Sequence, residues 1–222
     1  MKKTLLALAF TTASLVAVPA AFAQDQSAAP TSSDQKAFTG WYLDGDLGAS
    51  RISKGPYNNN NYAGGLTGGY RWAVSPDMSI GAELGYVYLG KQDARSSYET
   101  AYYANGGTDQ ARSNLRGATL GAAIRWNLLP SWYINLRAGA FDAHGSGLSD
   151  SIDAPVRRSF SNNLGYYAGI GTGWDINQHW GVGLNYNYYQ VNRGLSTING
   201  QREGTRIGMD TGTLTAGAEY RF

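Results

Sequence analysis

The 222-residue chain has no cysteine and only two histidines, His144 and His179. Without thiols there is no disulfide framework and no thiolate nucleophile or metal ligand. Two histidines far apart in sequence would leave a zinc site to be built mostly from carboxylates, so neither a metal nor another cofactor is expected. Long apolar runs are scarce as well. Beyond the N-terminal segment, no stretch approaches the ~20 apolar residues of a membrane helix, and mean hydropathy is below zero. Nor is there a marked excess of one charge: 18 Lys and Arg face 16 Asp and Glu. Binders of phosphate backbones carry a clustered basic excess, so nucleic acid is excluded as a partner.

Lys2 and Lys3 precede an apolar run over residues 5–18, and Ala21, Phe22 and Ala23 form a small-x-small cleavage pattern. Residues 1–23 therefore read as a secretory signal peptide. Its removal takes two lysines and no acid, leaving a formally neutral mature chain. Residues 24–38 are small and polar and contain Pro30. They lack the apolar content that offsets ordering entropy, and read as a flexible periplasmic tail.

What is abundant is glycine and aromatic residues: 30 Gly, 16 Tyr and 6 Trp. In residues 214–222 Leu214, Ala216, Ala218, Tyr220 and Phe222 alternate with Thr215, Gly217, Glu219 and Arg221. A period of two makes a strand with two unlike faces. The same alternation recurs over residues 41–50, 62–72, 79–89, 115–126, 132–141, 164–174 and 180–189. Barrel strands expose only alternate residues to lipid and cross it in ~9–11 residues, so modest hydropathy is compatible with a membrane. Eight such strands behind a secretion signal predict an all-β chain, an eight-stranded antiparallel transmembrane up-and-down β-barrel over residues 39–222.

Connections alternate in length. Those at 73–78, 127–131 and 175–179 are short, whereas those at 51–61, 90–114, 142–163 and 190–211 are long. Outer-membrane barrels keep short turns in the periplasm and long loops outside. Trp72, Trp126, Trp132, Trp174 and Trp180 flank the short turns, and Tyr86, Tyr88, Tyr186 and Tyr188 sit toward the long loops. Amphipathic rings favour both membrane interfaces, so these are the expected aromatic girdles.

The Gly-Trp-Tyr opening of strand one, Gly68-Gly69-Tyr70-Arg71-Trp72, Gly81 to Tyr86 (Gly-Ala-Glu-Leu-Gly-Tyr) and the terminal Tyr220-Arg221-Phe222 resemble the eight-stranded outer-membrane barrels of the OmpA and OmpX type. The likeness covers nearly all of residues 39–222. It implies an outer-membrane location among lipids and lipopolysaccharide. It also implies that Tyr220 and Phe222 belong to a signal read by the barrel-assembly machinery. The peptidoglycan-binding domain of full-length OmpA relatives is expected to be missing.

The strand pattern points Asp44, Asp46, Glu83 and Glu219 inward with Arg71, Arg125, Arg137 and Arg221. An eight-stranded barrel is just wide enough for side chains to fill it, and buried charges persist only when paired. A plug of salt bridges is expected, with a gated solute path as the alternative. Gly65, Gly69, Gly85, Gly117, Gly121 and Gly139 are expected to make room for the arginines. Gly169, Gly171 and Gly173 mimic a nucleotide loop but lie in a strand with no following helix.

His144 and Ser146, with Asp142, Asp150 and Asp153 nearby, have the composition of an acyl-transfer site. They lie just past strand five, where an exposed polar loop is the simpler account. Tyr98, Tyr102 and Tyr103 in the second long loop have the character of recognition residues. Arg157, Arg158, Arg193, Arg202 and Arg206 in other long loops suit lipopolysaccharide phosphates. The functional expectation is a non-enzymatic structural or surface-interaction barrel that meets a host or cell-surface ligand. A narrow small-solute porin and a lipid A acyl hydrolase are the alternatives.

Overall fold

The computed structural model describes residues 37–52, 56–57, 60–108, 110–148, 155, 157–193, 196–198, 201–203, 207–208 and 210–222. At 157–158, 160–163, 192–193, 196–198, 201–203 and 207–208 only the backbone is described. The expected signal peptide and residues 24–36 of the expected tail lie outside the described residues. The last two tail residues are not loose. Ala37 is buried and its N–H donates to the Pro76 carbonyl at 2.8 Å. Phe38 folds back over Gly40, whose positive φ of 152° leaves the space for it.

The strands are β1 (Gly40–Ile52), β2 (Asn60–Ala73), β3 (Met78–Asp93), β4 (Arg112–Asn127), β5 (Trp132–Leu148), β6 (Arg157–Asp175) and β7 (Trp180–Gln190). Four short strands follow, β8 (Asn192–Arg193), β9 (Ser196–Ile198), β10 (Gln201–Glu203) and β11 (Ile207–Gly208), and then β12 (Thr211–Arg221). Helix α1 (Ser96–Ala104) lies between β3 and β4. Seven consecutive antiparallel pairings link β1 through β7 to β12, and β12 returns to β1 to close an eight-stranded barrel. The short strands form two separate pairs, β9 with β10 and β8 with β11. The second pair keeps the β7–β12 register, with Thr211 opposite Tyr189 and Ile207 opposite Arg193.

The wall is inside out. Leu47, Leu84, Leu120 and Leu214 are all at least 60% exposed on its outer face, while Arg71 and Glu83 are 2% and 3% exposed within. No water enters a bilayer core to satisfy a strand edge, so closure is the physical solution for this alternation. Short turns at 74–77, 128–131 and 176–179 are tied by Val74 N to Met78 O, Leu129 N to Trp132 O and Ile176 N to Trp180 O. The Asn177 side chain accepts from the His179 and Trp180 amides, a turn-forming use of asparagine.

Several strands outrun their expected ends. The 17-residue β5 and 19-residue β6 are longer than the ~9–11 residues that cross a membrane. The wall therefore continues past it on the side of the long connections. A bulge between Tyr88 and Lys91, centred on Gly90 at φ +85°, shifts the inward phase of β3. A second lies between Ala143 and Gly145 in β5. Each bulge ends the strict alternation, so residues 91–93 and 142–148 lose the strand signature though the ladder continues. Residues 112–114 look like loop because Arg112, Ser113 and Asn114 are polar on both parities.

Candidate functional site

The interior is the densest collection of polar side chains. Arg71 donates to both Glu219 oxygens, Nη1 to Oε1 at 2.8 Å and Nη2 to Oε2 at 2.6 Å. Arg125 Nη1 donates to Glu219 Oε1 at 3.0 Å, and its Nη2 donates to both Asp175 oxygens at 2.7 and 2.5 Å. Arg221 Nη2 reaches Asp175 Oδ1 at 2.9 Å and the Asn177 carbonyl at 3.0 Å. Three arginines thus interlock with two carboxylates in the half of the lumen nearest the short turns. The guanidinium of Arg71 lies 3.8 Å from the centre of the Tyr42 ring and that of Arg125 3.5 Å from Tyr133, contacts strengthened by exclusion of water.

Glu83 sits in a second cluster. It accepts from Tyr167 at 2.7 Å and from Tyr42 at 3.2 Å, with Arg137 Nε at 3.9 Å. Tyr42 joins the two clusters, its face under Arg71 and its hydroxyl on Glu83. Asp44 is buried in the same region and Asp46 is partly buried. Among the described residues, Asp44 Oδ1 and Arg137 Nε have no hydrogen-bond partner. The structure thus brings Arg71, Arg125, Arg221 and Glu219 into contact and sets Arg137 beside Glu83. Asp44 and Asp46 stay outside these contact pairs.

Sequence reasoning missed Asp175, Tyr42, Tyr133 and Tyr167 as network members. Asp175 opens the short 175–179 connection in the sequence, yet it follows Trp174 on the inward parity of β6. The tyrosines also have inward parity, which was the available signal. The glycine expectation needs correction. A Cβ on Gly69 would lie 2.7 Å from Tyr42 Oη, and one on Gly139 2.8 Å from Tyr167 Cε1. Gly85 lies against Thr67 and Thr119, Gly117 against Phe141, Gly121 against Tyr167 and Gly65 beside Asp46. Flat rings lie along the wall and need bare backbone beneath them, whereas arginines extend on long flexible stems.

Toward the long connections the interior holds an apolar cluster beside a buried, hydrogen-bonded polar group of Ser50, Gln92 and Ser113. Val87, Leu89, Leu115, Phe141, Tyr167 and Tyr189 are buried inward and form one cluster with Tyr57 and Tyr102. Tyr57 comes from the connection after β1 and is fully buried. Its hydroxyl accepts from Leu148 N at 2.6 Å, its carbonyl accepts from Arg95 Nε at 3.3 Å, and it bridges to Ala94. Tyr167 stacks on Tyr189 and Phe141 meets the same ring edge-on. Tyr102 of α1 packs into this cluster instead of facing solvent, while Tyr103 is exposed and Tyr98 half-buried. The signal for the cluster was apolarity on both parities, as in Val87-Tyr88-Leu89.

His144 and Ser146 lie within β5, not past it, and Ser146 is buried. His144 Nδ1 lies 3.3 Å from the Asp142 carbonyl, so the imidazole is turned to backbone. Asp150, Asp153 and Arg206 lie outside the described residues. Arg157 and Arg158 belong to β6, Arg193 to β8 and Arg202 to β10. Around the outside, Trp72, Trp126, Trp132, Trp174 and Trp180 project at the short-turn end. Trp41 and Tyr70 extend this ring, Tyr70 meeting Trp41 edge-on and Trp72 at a tilt, and Tyr220 packs between Trp180 and Phe222. Tyr86, Tyr88 and Tyr186 are exposed toward the other end, with Tyr188 partly so.

A closed antiparallel barrel with an apolar outer wall, two aromatic belts and charges inside defines the class: a transmembrane barrel of an outer membrane. The family model of the outer membrane protein beta-barrel domain matches residues 9–222, and the chain belongs to that family. Over 230 aligned positions it is 28% identical to outer membrane protein A of Escherichia fergusonii, covering 100% of this chain and 56% of that protein. The chain therefore spans about half the length of that curated relative. Among solved structures it is similar to Ail, the attachment invasion locus protein of Yersinia pestis, at 16% identity and TM-score 0.48. That match covers 83% of this chain and 100% of Ail. Neisserial surface protein A matches at 14% identity and TM-score 0.47, over 83% of this chain and 98% of its own.

Proposed function

We propose that this protein is a sealed outer-membrane barrel with a structural and surface-interaction role, its long connections facing out of the cell. One observation carries the proposal: the lumen is filled in two different ways along its length. Interlocked Arg71, Arg125, Arg221, Glu219 and Asp175 occupy the half nearest the short turns. The apolar cluster around Tyr57, Phe141 and Tyr189 lies in the other, beside the hydrogen-bonded Ser50, Gln92 and Ser113. An ion path through the first would have to break paired charges, and through the second would have to hydrate buried aromatic rings. The reading is non-enzymatic, because Ser146 is buried in β5 while acyl transfer requires a nucleophile that substrate reaches. The outward connections are the surface for a host or cell-surface ligand, since rigid scaffolds place recognition on loops. Tyr220 and Phe222, on the outer face at the β1–β12 seam, serve as the assembly signal.

Planar-bilayer recording tests the sealing. The purified barrel is expected to give only small, irregular currents. A stable, large unitary conductance would establish the small-solute porin instead.

A further inference from the structure

The outer wall carries a groove that none of the lumen chemistry uses. It lies over β12, between β1 and β7, at the end of the long connections, and encloses about 340 Å³. Its floor is Gly212, which pairs with Arg51 on one side and Tyr188 on the other; the next outward step is Leu214, between Ala49 and Tyr186. Small residues at Gly212 and Ala49 make the depression. A Cβ on Gly212 would stand 2.9 Å from Tyr186 Oη, so the tyrosine lies across the bare backbone and any larger residue there would displace it.

The groove is graded along the membrane normal. Its inner end is apolar, with Leu214 and Ala49 exposed on the lipid-facing wall. Its outer end carries the exposed Arg51 and Asn60 together with Asp210. From this we infer a binding site for one acyl chain and the adjoining phosphorylated sugar of an outer-leaflet glycolipid of the lipid A type. Arg51 supplies a charge-assisted donor for phosphate. Asn60, and Asp210 whose carboxylate already takes the Tyr188 hydroxyl, supply acceptors for sugar hydroxyl and amide groups. A phospholipid ammonium or glycerol hydroxyl would find the same acceptors, so it is the position of the groove at the outward end of the wall, in the glycolipid leaflet, that selects lipid A. The tyrosine rings offer the flat amphipathic surface that an interfacial sugar packs on. The volume lies near the lower end of the ~300–1,000 Å³ of small-molecule sites, which suits one chain and one sugar rather than a whole glycolipid. The assignment rests on the outward orientation of the long connections.

The test is native mass spectrometry of the full chain, released from detergent after incubation with diphosphoryl lipid A, monophosphoryl lipid A, phosphatidylethanolamine or phosphatidylglycerol. A single diphosphoryl lipid A adduct should survive delipidation. Arg51→Gln should lower its retention at least about tenfold, the scale of one lost charge-assisted contact. Gly212→Val should lower it comparably by filling the groove while keeping every charge. Arg116→Gln, an exposed arginine on β4 opposite Tyr88 and His144, should leave it unchanged. Heat-modifiable mobility confirms that each variant is folded. Equal retention of either phospholipid, no adduct, or an equal loss in Arg116→Gln would overturn the site and leave only a general lipid annulus. A phosphatidylethanolamine-selective adduct, with surface labelling of the short turns, would instead overturn the orientation. Neither outcome bears on the sealed lumen, which conductance reports separately.

Discussion

Glu219→Gln is the sharpest probe of the interior. Glu219 is 5% exposed and accepts two hydrogen bonds from Arg71 and one from Arg125, with Arg221 Nε 3.7 Å away. Glutamine keeps the size, removes the charge, and turns one acceptor into a donor aimed at guanidinium donors. Asp175 still holds Arg125 and Arg221, so Arg71, 2% exposed, is the cation left without a carboxylate. Two unit charges at 4 Å attract by about 4 kcal/mol at an effective dielectric constant of 20, and breaking one side of a buried pair costs about 3–5 kcal/mol. With an m value of about 2 kcal/mol/M, the urea midpoint of reversible unfolding in lipid vesicles should fall by about 2 M. Arg71→Met should be similarly damaging alone. The double variant should lose less than the two single losses combined, by at least about 1 kcal/mol, because neither group is then stranded. Glu99→Gln, exposed on α1, should stay within about 0.5 kcal/mol of the parent. A Glu219→Gln barrel within 1 kcal/mol of wild type on that ~3–5 kcal/mol scale, or strictly additive variants, would refute the idea that the network is dry and coupled.

Three further outcomes are expected. An epitope inserted at Gly106, exposed just after α1, should be labelled on intact cells, and one at Ser75 in the turn after β2 should not; the reverse would invert the orientation. Phe222 donates its amide to the Trp41 carbonyl at 3.1 Å where β12 meets β1. Deleting Phe222 or making it charged should therefore reduce the heat-modifiable outer-membrane pool, and an unchanged pool would mean that neither the seam contact nor a terminal signal matters. Ser146→Ala and His144→Ala should leave the lipid A acylation profile of an overexpressing strain unaltered. A wild-type deacylation that Ser146→Ala abolishes would make the protein a hydrolase.

The sequence by itself determined the barrel. Alternation such as Leu214 to Phe222 puts charge and lipid-compatible side chains on opposite faces, and eight repeats of it with no helical span leave closure as the answer. Parity also directed Arg71, Arg125, Arg137, Arg221, Glu83 and Glu219 inward, because a period of two is a local property of the strand. Which carboxylate meets which arginine was decided only by the tertiary structure. Glu219 and Arg71 come together across 148 residues, through the stagger of strands around a closed wall. The same closure brought in Asp175 at a strand end and placed Tyr42, Tyr133 and Tyr167 over glycines on neighbouring strands. The apolar cluster of the lumen was hidden for a related reason. Bulges at Gly90 and near Gly145 break the period that sequence reading relies on, and Tyr57 gains its partners Leu148 and Arg95 only when distant connections converge on the barrel mouth.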